Sequence, residues 1–226
     1  EHGLIYRALK PVHWSIANET ALAEAELEYE EREDLSVYVD FEAADAEAVY
    51  DAFGLPKAGS TEVTESDTED TEEEETEDLR PTQRPSFMIW TTTPWTLPAN
   101  VGIAVNPKHE YALVRVDGNV TIMAAGLVEK VTGAAKAEEV AVLATATGEK
   151  LLGLQYRHPF VTNPPACGLG RVCDPMKLWS VVAADYVTLE DGTGIVHTAP
   201  GHGAEDYATG LREHLPIYCP VQGDGT

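Results

Sequence analysis

Two short stretches of this 226-residue chain concentrate side chains able to do chemistry. The first is Trp90-Thr-Thr-Thr-Pro-Trp-Thr-Leu-Pro-Ala-Asn100, where a strand-like run ends in Thr91, Thr92 and Thr93 and is stopped by Pro94. Proline cannot donate to a sheet ladder, so these hydroxyls and the released backbone N–H groups gather at a sheet rim, where they could hold a small polar ligand. Threonine is also simply a good strand former, and that plainer reading stands beside the first. The tryptophans and prolines crowded around the threonines point to a rigid, shaped loop.

The second stretch is Gly192-Thr-Gly-Ile-Val-His-Thr-Ala-Pro-Gly-His-Gly-Ala-Glu-Asp-Tyr207. Its pattern predicts a turn at Glu190–Gly192, a short strand ending at His197, and a Pro-Gly loop entering a helix whose first turn carries Glu205 and Asp206. Carboxylates suit the positive end of a helix, so Asp206 has a structural reason for its place, but it is equally placed to pair with a cationic ligand. The tight loop allows His197 and Asp206 to face one pocket. His197, His202 and Asp206 could instead bind zinc, although Pro200 prevents a single helix from presenting both histidines as a metalloprotease does. No Gly-x-Ser-x-Gly elbow is present, which argues against an α/β-hydrolase nucleophile. Cys167 and Cys173 lie in a Pro- and Gly-rich loop without an activating base, and His13, His109, His158 and His214 read as surface or core histidines.

The elements that must position these residues are mostly strands. Ser86–Thr92, Val101–Val105, Tyr111–Val116, Asn119–Ala125, Val140–Thr145 and Val181–Leu189 are β-branched or aromatic runs bounded by turn residues, and Asp117-Gly118 marks a hairpin. Ser36–Phe41 alternates as a half-buried strand, and Leu4–Tyr6 and Pro11–Trp14 read as strand fragments. Helices are expected at Asp45–Phe53, Gly126–Val131 and Gly203–Glu213, with a short one starting in Thr20–Tyr29. The fold class is mixed, β-rich α+β: a closed or nearly closed barrel-like core with short peripheral helices.

The 39 acidic and 15 basic residues leave a formal charge of −24, so a nucleic acid meets long-range repulsion, which argues against a protein that relies on its own basic patch to grip a polynucleotide. Eleven of the acidic residues fall between Ser60 and Asp78 with no basic residue among them, and removing them brings the charge from −24 to −13. Interleaved with Ser and Thr and almost without apolar residues, the stretch at 60–80 is expected to be a disordered insertion. A Ca²⁺ loop would need ligands at alternate positions and a turn-forming glycine, which it lacks. Three cysteines cannot all pair with one another and suggest no disulfide framework, which fits a reducing, cytoplasmic setting. No apolar run is long enough to span a bilayer. Starting at Glu1 without methionine and stopping in Gly-Asp-Gly-Thr, the sequence is expected to be a segment of a larger polypeptide.

Together, Trp90–Asn100 and Gly192–Tyr207 closely resemble the two signature peptides of the editing domain of isoleucyl-tRNA synthetases, the large insertion in those class I enzymes. Lys10-Pro-Val-His-Trp-Ser15, Thr20–Tyr29, Tyr156-Arg-His-Pro-Phe160 and Ala184-Asp-Tyr-Val-Thr188 agree with the same family. The valyl and leucyl relatives carry an Arg where this chain has Thr93 and lack the His-Thr-Ala-Pro-Gly-His run, so the isoleucyl type is favoured. One departure is visible: some members carry a Cys-x-x-Cys pair where this chain has Ser15 and Asn18.

The resemblance implies hydrolysis of the ester of mischarged valyl-tRNA(Ile) with exclusion of isoleucine. It places the aminoacyl-adenosine end against Thr91, Thr92 and Thr93, the α-ammonium on Asp206, and Trp95, Asn100, His197 and His202 around the substrate, with His197 lining the side-chain pocket. Residues 1–40 are then linking strands toward the synthetase core and 41–226 the editing domain. The expected partners are the 3′ end of aminoacyl-tRNA and the rest of the synthetase chain, with no membrane and a monomeric fragment. No metal and no cofactor are expected here; ATP and Mg belong to the parent enzyme's synthetic site. A non-catalytic module that holds an aminoacyl adenosine, or a structural docking insertion, is the alternative.

Overall fold

The computed structural model describes residues 9–31, 33–56, 80–163, 165–166 and 173–226. A five-stranded sheet has the order β3-β4-β7-β6-β8, built from β3 (Val37–Glu42), β4 (Ser86–Thr91), β6 (Glu110–Val116), β7 (Asn119–Ala124) and β8 (Val140–Thr147). All its pairings are antiparallel except β4 with β7. The Asp117-Gly118 turn joins β6 to β7 with both residues at positive φ, 47° and 83°, the conformation a two-residue hairpin loop requires.

A second, three-stranded sheet has the order β10-β5-β9, from β5 (Gly102–Val105), β9 (Ser180–Ala183) and β10 (Val196–Thr198). It is covered on both faces. Alternate residues of β5 and β9 point opposite ways: Ile103, Val105 and Val181 join the main core with Phe41, Phe87, Ile89, Leu113 and Ile122. Ala104 and Val182 join a smaller core with Val101, Val187 and Leu215. The expected β-rich α+β class is the observed one, but the described strands form separate sheets rather than one closed barrel. Pro94 and Pro98 in the 3-10 turns of Pro94–Ala99 break the ladder after β4, and the chain starts β5 in a different sheet.

Helix α1 (Ala46–Ala52) is capped by Asp45, whose Oδ1 accepts from the N–H groups of Glu47 at 3.0 Å and Ala48 at 3.2 Å. It buries Val49 and Tyr50 in the main core. Arg80 closes the gap between the described segments at 56 and 80. Its Nε donates to the carbonyls of Leu55 and Pro56, and its two terminal nitrogens each bond a carboxylate of α1, Glu47 and Asp51, at 2.6 Å. Tyr50 Oη adds bonds to the carbonyls of Pro81 and Gln83. Helix α3 (Ala204–Arg212) falls where the sequence predicts it, while α2 (Val128–Ala135) overlaps the helix expected at Gly126–Val131 but starts after a 3-10 turn and runs on to Ala135.

Three expectations are corrected. Thr20–Tyr29 contains β2 (Thr20–Leu22), paired with β1 (His13–Ser15), and a 3-10 turn at Glu24–Glu26 rather than a helix. So short a run gains too little from propensity to nucleate a helix. The strand predicted to reach Leu189 ends at Ala183, where the chain turns from Ala184 to Val187. Cys173 is disulfide-bonded, although the cysteine spacing suggests no disulfide framework, and Cys219 is free. The Leu4–Tyr6 strand fragment, Cys167 and nearly all of the acidic 60–80 stretch lie outside the described residues.

Candidate functional site

The two chemistry-bearing peptides meet across the smaller sheet. Strand β5 leaves the Thr/Trp loop directly and pairs antiparallel with β10, setting His197 opposite Ile103 and Thr198 opposite Gly102. The Val101 N–H donates to the Thr198 carbonyl at 3.0 Å, which extends the pairing into the loop.

Thr91 ends β4 and is buried, whereas Thr92 and Thr93 are exposed at the rim. Thr91 Oγ1 accepts from the Thr93 N–H at 3.0 Å and lies 3.2 Å from Thr93 Oγ1. The next link runs through Thr96, whose hydroxyl donates to the Thr93 carbonyl at 2.8 Å and lies 3.1 Å from His197 Nε2. A hydroxyl has one hydrogen, and the Thr93 carbonyl takes it. Thr96 Oγ1 therefore accepts, and His197 carries its proton on Nε2.

The His197 ring is 6% exposed and its Nδ1 has no partner among the described residues. Burial, with His202 and His158 nearby, pushes its pKa down to about 4, so the ring is neutral at pH 7. Beneath the same loop, His158 Nδ1 accepts the N–H groups of Phe160 and Val161, and its Nε2 donates to the Leu97 carbonyl at 3.0 Å. One neutral histidine thus grips each end of the Thr96-Leu97 step.

His202 packs edge-on against Trp95 with ring centres 5.1 Å apart, while Trp95 itself is 58% exposed. Asp206 stands in the first turn of α3, and its Oδ2 accepts the Ala199 N–H at 2.9 Å, folding the Pro200-Gly201 loop back over the helix start. Burial and Glu205 push its carboxyl pKa up, and the Ala199 N–H pulls it down. Gly203 leaves room for this carboxylate, since a Cβ there would stand 2.9 Å from Asp206 Cγ and Oδ2. Among the described residues no cluster of three or more His, Cys, Asp or Glu is arranged to hold a metal ion.

The structure therefore brings Thr91, Thr93, His197, Trp95 and His202 into one linked set, with Asp206 attached through Ala199. Asn100 is placed differently. Its amide nitrogen donates to the Gly102 carbonyl at 2.8 Å and its oxygen accepts from Tyr156 Oη. Both ends of the amide are spent inside the core, so Asn100 fixes where the loop ends. The sequence does not single out Thr96 or Tyr156 as site residues, and His158, expected as a surface or core histidine, is a buried one that holds Leu97. Thr96 had one usable signal, its place in the same Pro/Trp loop, while the other two depend on partners about sixty residues away.

The family model for class I tRNA synthetases (I, L, M and V) matches residues 1–209. Isoleucine–tRNA ligases of Aquifex aeolicus and Carboxydothermus hydrogenoformans are 40% and 41% identical over 225 and 223 residues, covering 100% and 99% of this chain. The chain spans about a fifth of the length of these curated relatives, 20% and 19% respectively. Among solved structures, the editing domain of the P. falciparum cytosolic leucyl-tRNA synthetase superposes with a TM-score of 0.56 at 16% identity, covering 76% of this chain and 63% of that one. The corresponding P. knowlesi domain superposes at 0.53 with 15% identity, covering 76% and 61%. At these identities the likeness is one of fold.

Proposed function

This chain belongs to the class I tRNA synthetases (I, L, M and V), and we propose that it is an editing domain of the isoleucyl type, hydrolysing the ester of valyl-tRNA(Ile) while excluding isoleucine. The need is physical. A missing methylene is worth only about 1–3 kcal/mol in a synthetic pocket, so valine slips through and a second, smaller site must remove it. The observation that carries the reading is the 3.1 Å contact between Thr96 and His197, which closes the hydroxyl rim onto the histidine peptide.

In this reading the Asp206 carboxylate binds the α-ammonium of the amino acid, a charge-assisted contact that fixes the ester. An approaching cation restores the anionic form that burial disfavours. Thr91, Thr92 and Thr93 present their hydroxyls to the aminoacyl-adenosine end, the Thr93 N–H being taken by Thr91 Oγ1. His197, neutral and held by Thr96, is a wall of the side-chain pocket rather than a charged group. Positioned water attacks the carbonyl carbon, the bond to the ribose oxygen breaks, and that oxygen takes a proton, releasing valine and the tRNA hydroxyl. A pKa near 4 makes His197 a poor general base.

A chain of charge −24 repels the tRNA body and meets only its terminal nucleotides, leaving the rest to basic surfaces elsewhere in a synthetase. The test is to follow deacylation of valyl- and isoleucyl-tRNA(Ile) by the full-length protein containing this chain. Selective loss of valine, insensitive to chelators, is expected. Equal hydrolysis of both esters, or of neither, overturns the reading.

A further inference from the structure

The loop between β10 and α3 carries His202 and leads into Asp206. Ala199 turns it with both of its backbone groups: its N–H goes to Asp206 Oδ2 at 2.9 Å, and its carbonyl accepts from the N–H groups of His202 at 2.9 Å and Gly203 at 3.2 Å. These bonds tie the loop to its own helix. They do not set where loop and helix start stand in the domain.

Two glycines supply that seat. After α3 the chain reverses at His214, which lies at φ 57°, and the Leu215 N–H returns to the Gly210 carbonyl at 2.9 Å. Leu215 and Ile217 are buried, Leu215 in the smaller core, so the segment 215–219 is fixed to the body of the domain. The Gly201 backbone lies so close to this segment that a Cβ there would stand 2.2 Å from the Tyr218 carbonyl oxygen, 2.8 Å from its carbon and 3.1 Å from Cys219 Cβ. Gly201 is not among the residues at positive φ, so the close approach, not the backbone angle, demands glycine here. From the other side, a Cβ at Gly210 would stand 2.7 Å from Cγ and 2.8 Å from Cβ of Pro200. Glycine is a poor residue inside a helix, and the Pro200 ring accounts for this one.

We propose that Gly201 is a positioning residue for Asp206 and His202: it lets their loop rest on the Tyr218 backbone, so that the segment 215–219 sets where the carboxylate stands relative to the threonine rim. The same segment touches the other peptide's exit. Leu215 Cδ1 lies 3.3 Å from the place of a Cβ on Gly102, the residue whose carbonyl takes the Asn100 amide. One stretch of chain thus bears on both halves of the site. A clash with a backbone carbonyl is not relieved by a side-chain rotation, so a methyl group at 201 must lift the loop from its seat.

In the 226-residue chain, Gly201→Ala should speed hydrogen exchange of the Ala199, His202 and Gly203 amides about tenfold, while those of Leu113 and Ile122, paired in the main sheet, exchange as in wild type. In the full-length protein KM for valyl-tRNA(Ile) should rise about tenfold with kcat nearly unchanged, and the same substitution added to Asp206→Asn should cost less than about threefold, because both act through one carboxylate. Gly210→Ala, which presses on the loop from a helix that favours alanine, should repeat this pattern and decides the matter if Gly201→Ala does not fold. Gly133→Ala, whose Cβ meets nothing within 4 Å, should leave every readout at the wild-type value. Loop amides unmoved, or sped no more than those of Leu113 and Ile122, overturn the proposal, as does an equal loss with and without the Asp206 carboxylate.

Only the KM readout rests on the editing reading. Fast loop exchange in a protein that cleaves no valyl ester would uphold the seat and sink the editing role, whereas unmoved loop exchange in an active, selective enzyme would do the reverse.

Discussion

Asp206→Asn tests the ammonium contact with little disturbance to the fold. Asparagine has nearly the same shape, and its carbonyl oxygen can still accept the Ala199 N–H that Asp206 Oδ2 takes at 2.9 Å. The loop over the helix start therefore keeps its anchor, and only the charge is lost. A hydrogen bond between charged partners is worth about 1.5–3 kcal/mol, so kcat/KM for valyl-tRNA should fall about 10- to 150-fold. Because the ammonium is bound in ground and transition states alike, the loss should fall mainly on KM. Stability should move the other way. The folded protein raises the Asp206 pKa, so the group opposes folding above its folded pKa and ceases to do so as pH falls below its unfolded value. Asparagine removes that opposition, and the variant should melt at or above the wild-type temperature at pH 7. Deacylation by the full-length protein and thermal melts of the 226-residue chain check both halves. Valyl-tRNA hydrolysis within twofold of wild type at subsaturating substrate would refute the ammonium contact, and a collapsed melting temperature would show that the carboxylate is structural.

Four further outcomes follow from the same geometry. Gly203→Ala sets a Cβ 2.9 Å from the Asp206 carboxyl; a carboxylate that swings away also gives up the Ala199 N–H, so stability should fall by about 1–3 kcal/mol while kcat/KM drops toward the Asp206→Asn value. His197→Ala opens the space of an imidazole in the proposed side-chain pocket, and discrimination against the isoleucyl ester, of the order set by one methylene at about 1–3 kcal/mol, should fall toward unity in parallel deacylation assays. With its folded pKa down at about 4 against about 6.5 unfolded, His197 favours folding above pH 6.5, and roughly 3 kcal/mol should be lost as pH falls to about 4. Denaturant melts of His197→Gln against wild type should show that the difference depends on pH in this window. Arg80→Lys should lower the melting temperature almost as much as Arg80→Met, because an ammonium cannot reproduce a fork that binds two carboxylates and two carbonyls at once.

The legible parts of the fold were those written in local chemistry. Asp45, Gly54 and Pro56 bracket α1, Asp117-Gly118 closes its hairpin, and the Pro-stopped threonines stand at the rim where proline must end the ladder. The division into separate sheets was not legible. Strand β5 is buried throughout, and an unbroken apolar run carries no mark of which neighbours it will take or whether they run parallel, as β9 does. At the site, residue type singled out the threonines, His197 and Asp206. It could not show that Asn100 spends its amide on Gly102 and Tyr156, because Tyr156 reaches it from 56 residues away.

In the proposed editing role, the non-local pairing of Thr96 with His197 is what would let the site measure a methylene. His197 and Thr96 are 101 residues apart, yet the loop holding Thr96 runs into β5, and His197 lies on the bonded strand opposite Ile103. The sheet carrying both is packed on its two faces by different cores, so neither strand can slide without emptying one of them. A ring fixed from behind by Thr96 and left neutral by burial has little freedom to yield to a longer side chain. Size exclusion requires that stiffness, since a wall able to move by the length of one carbon–carbon bond would admit the cognate ester as readily as the wrong one.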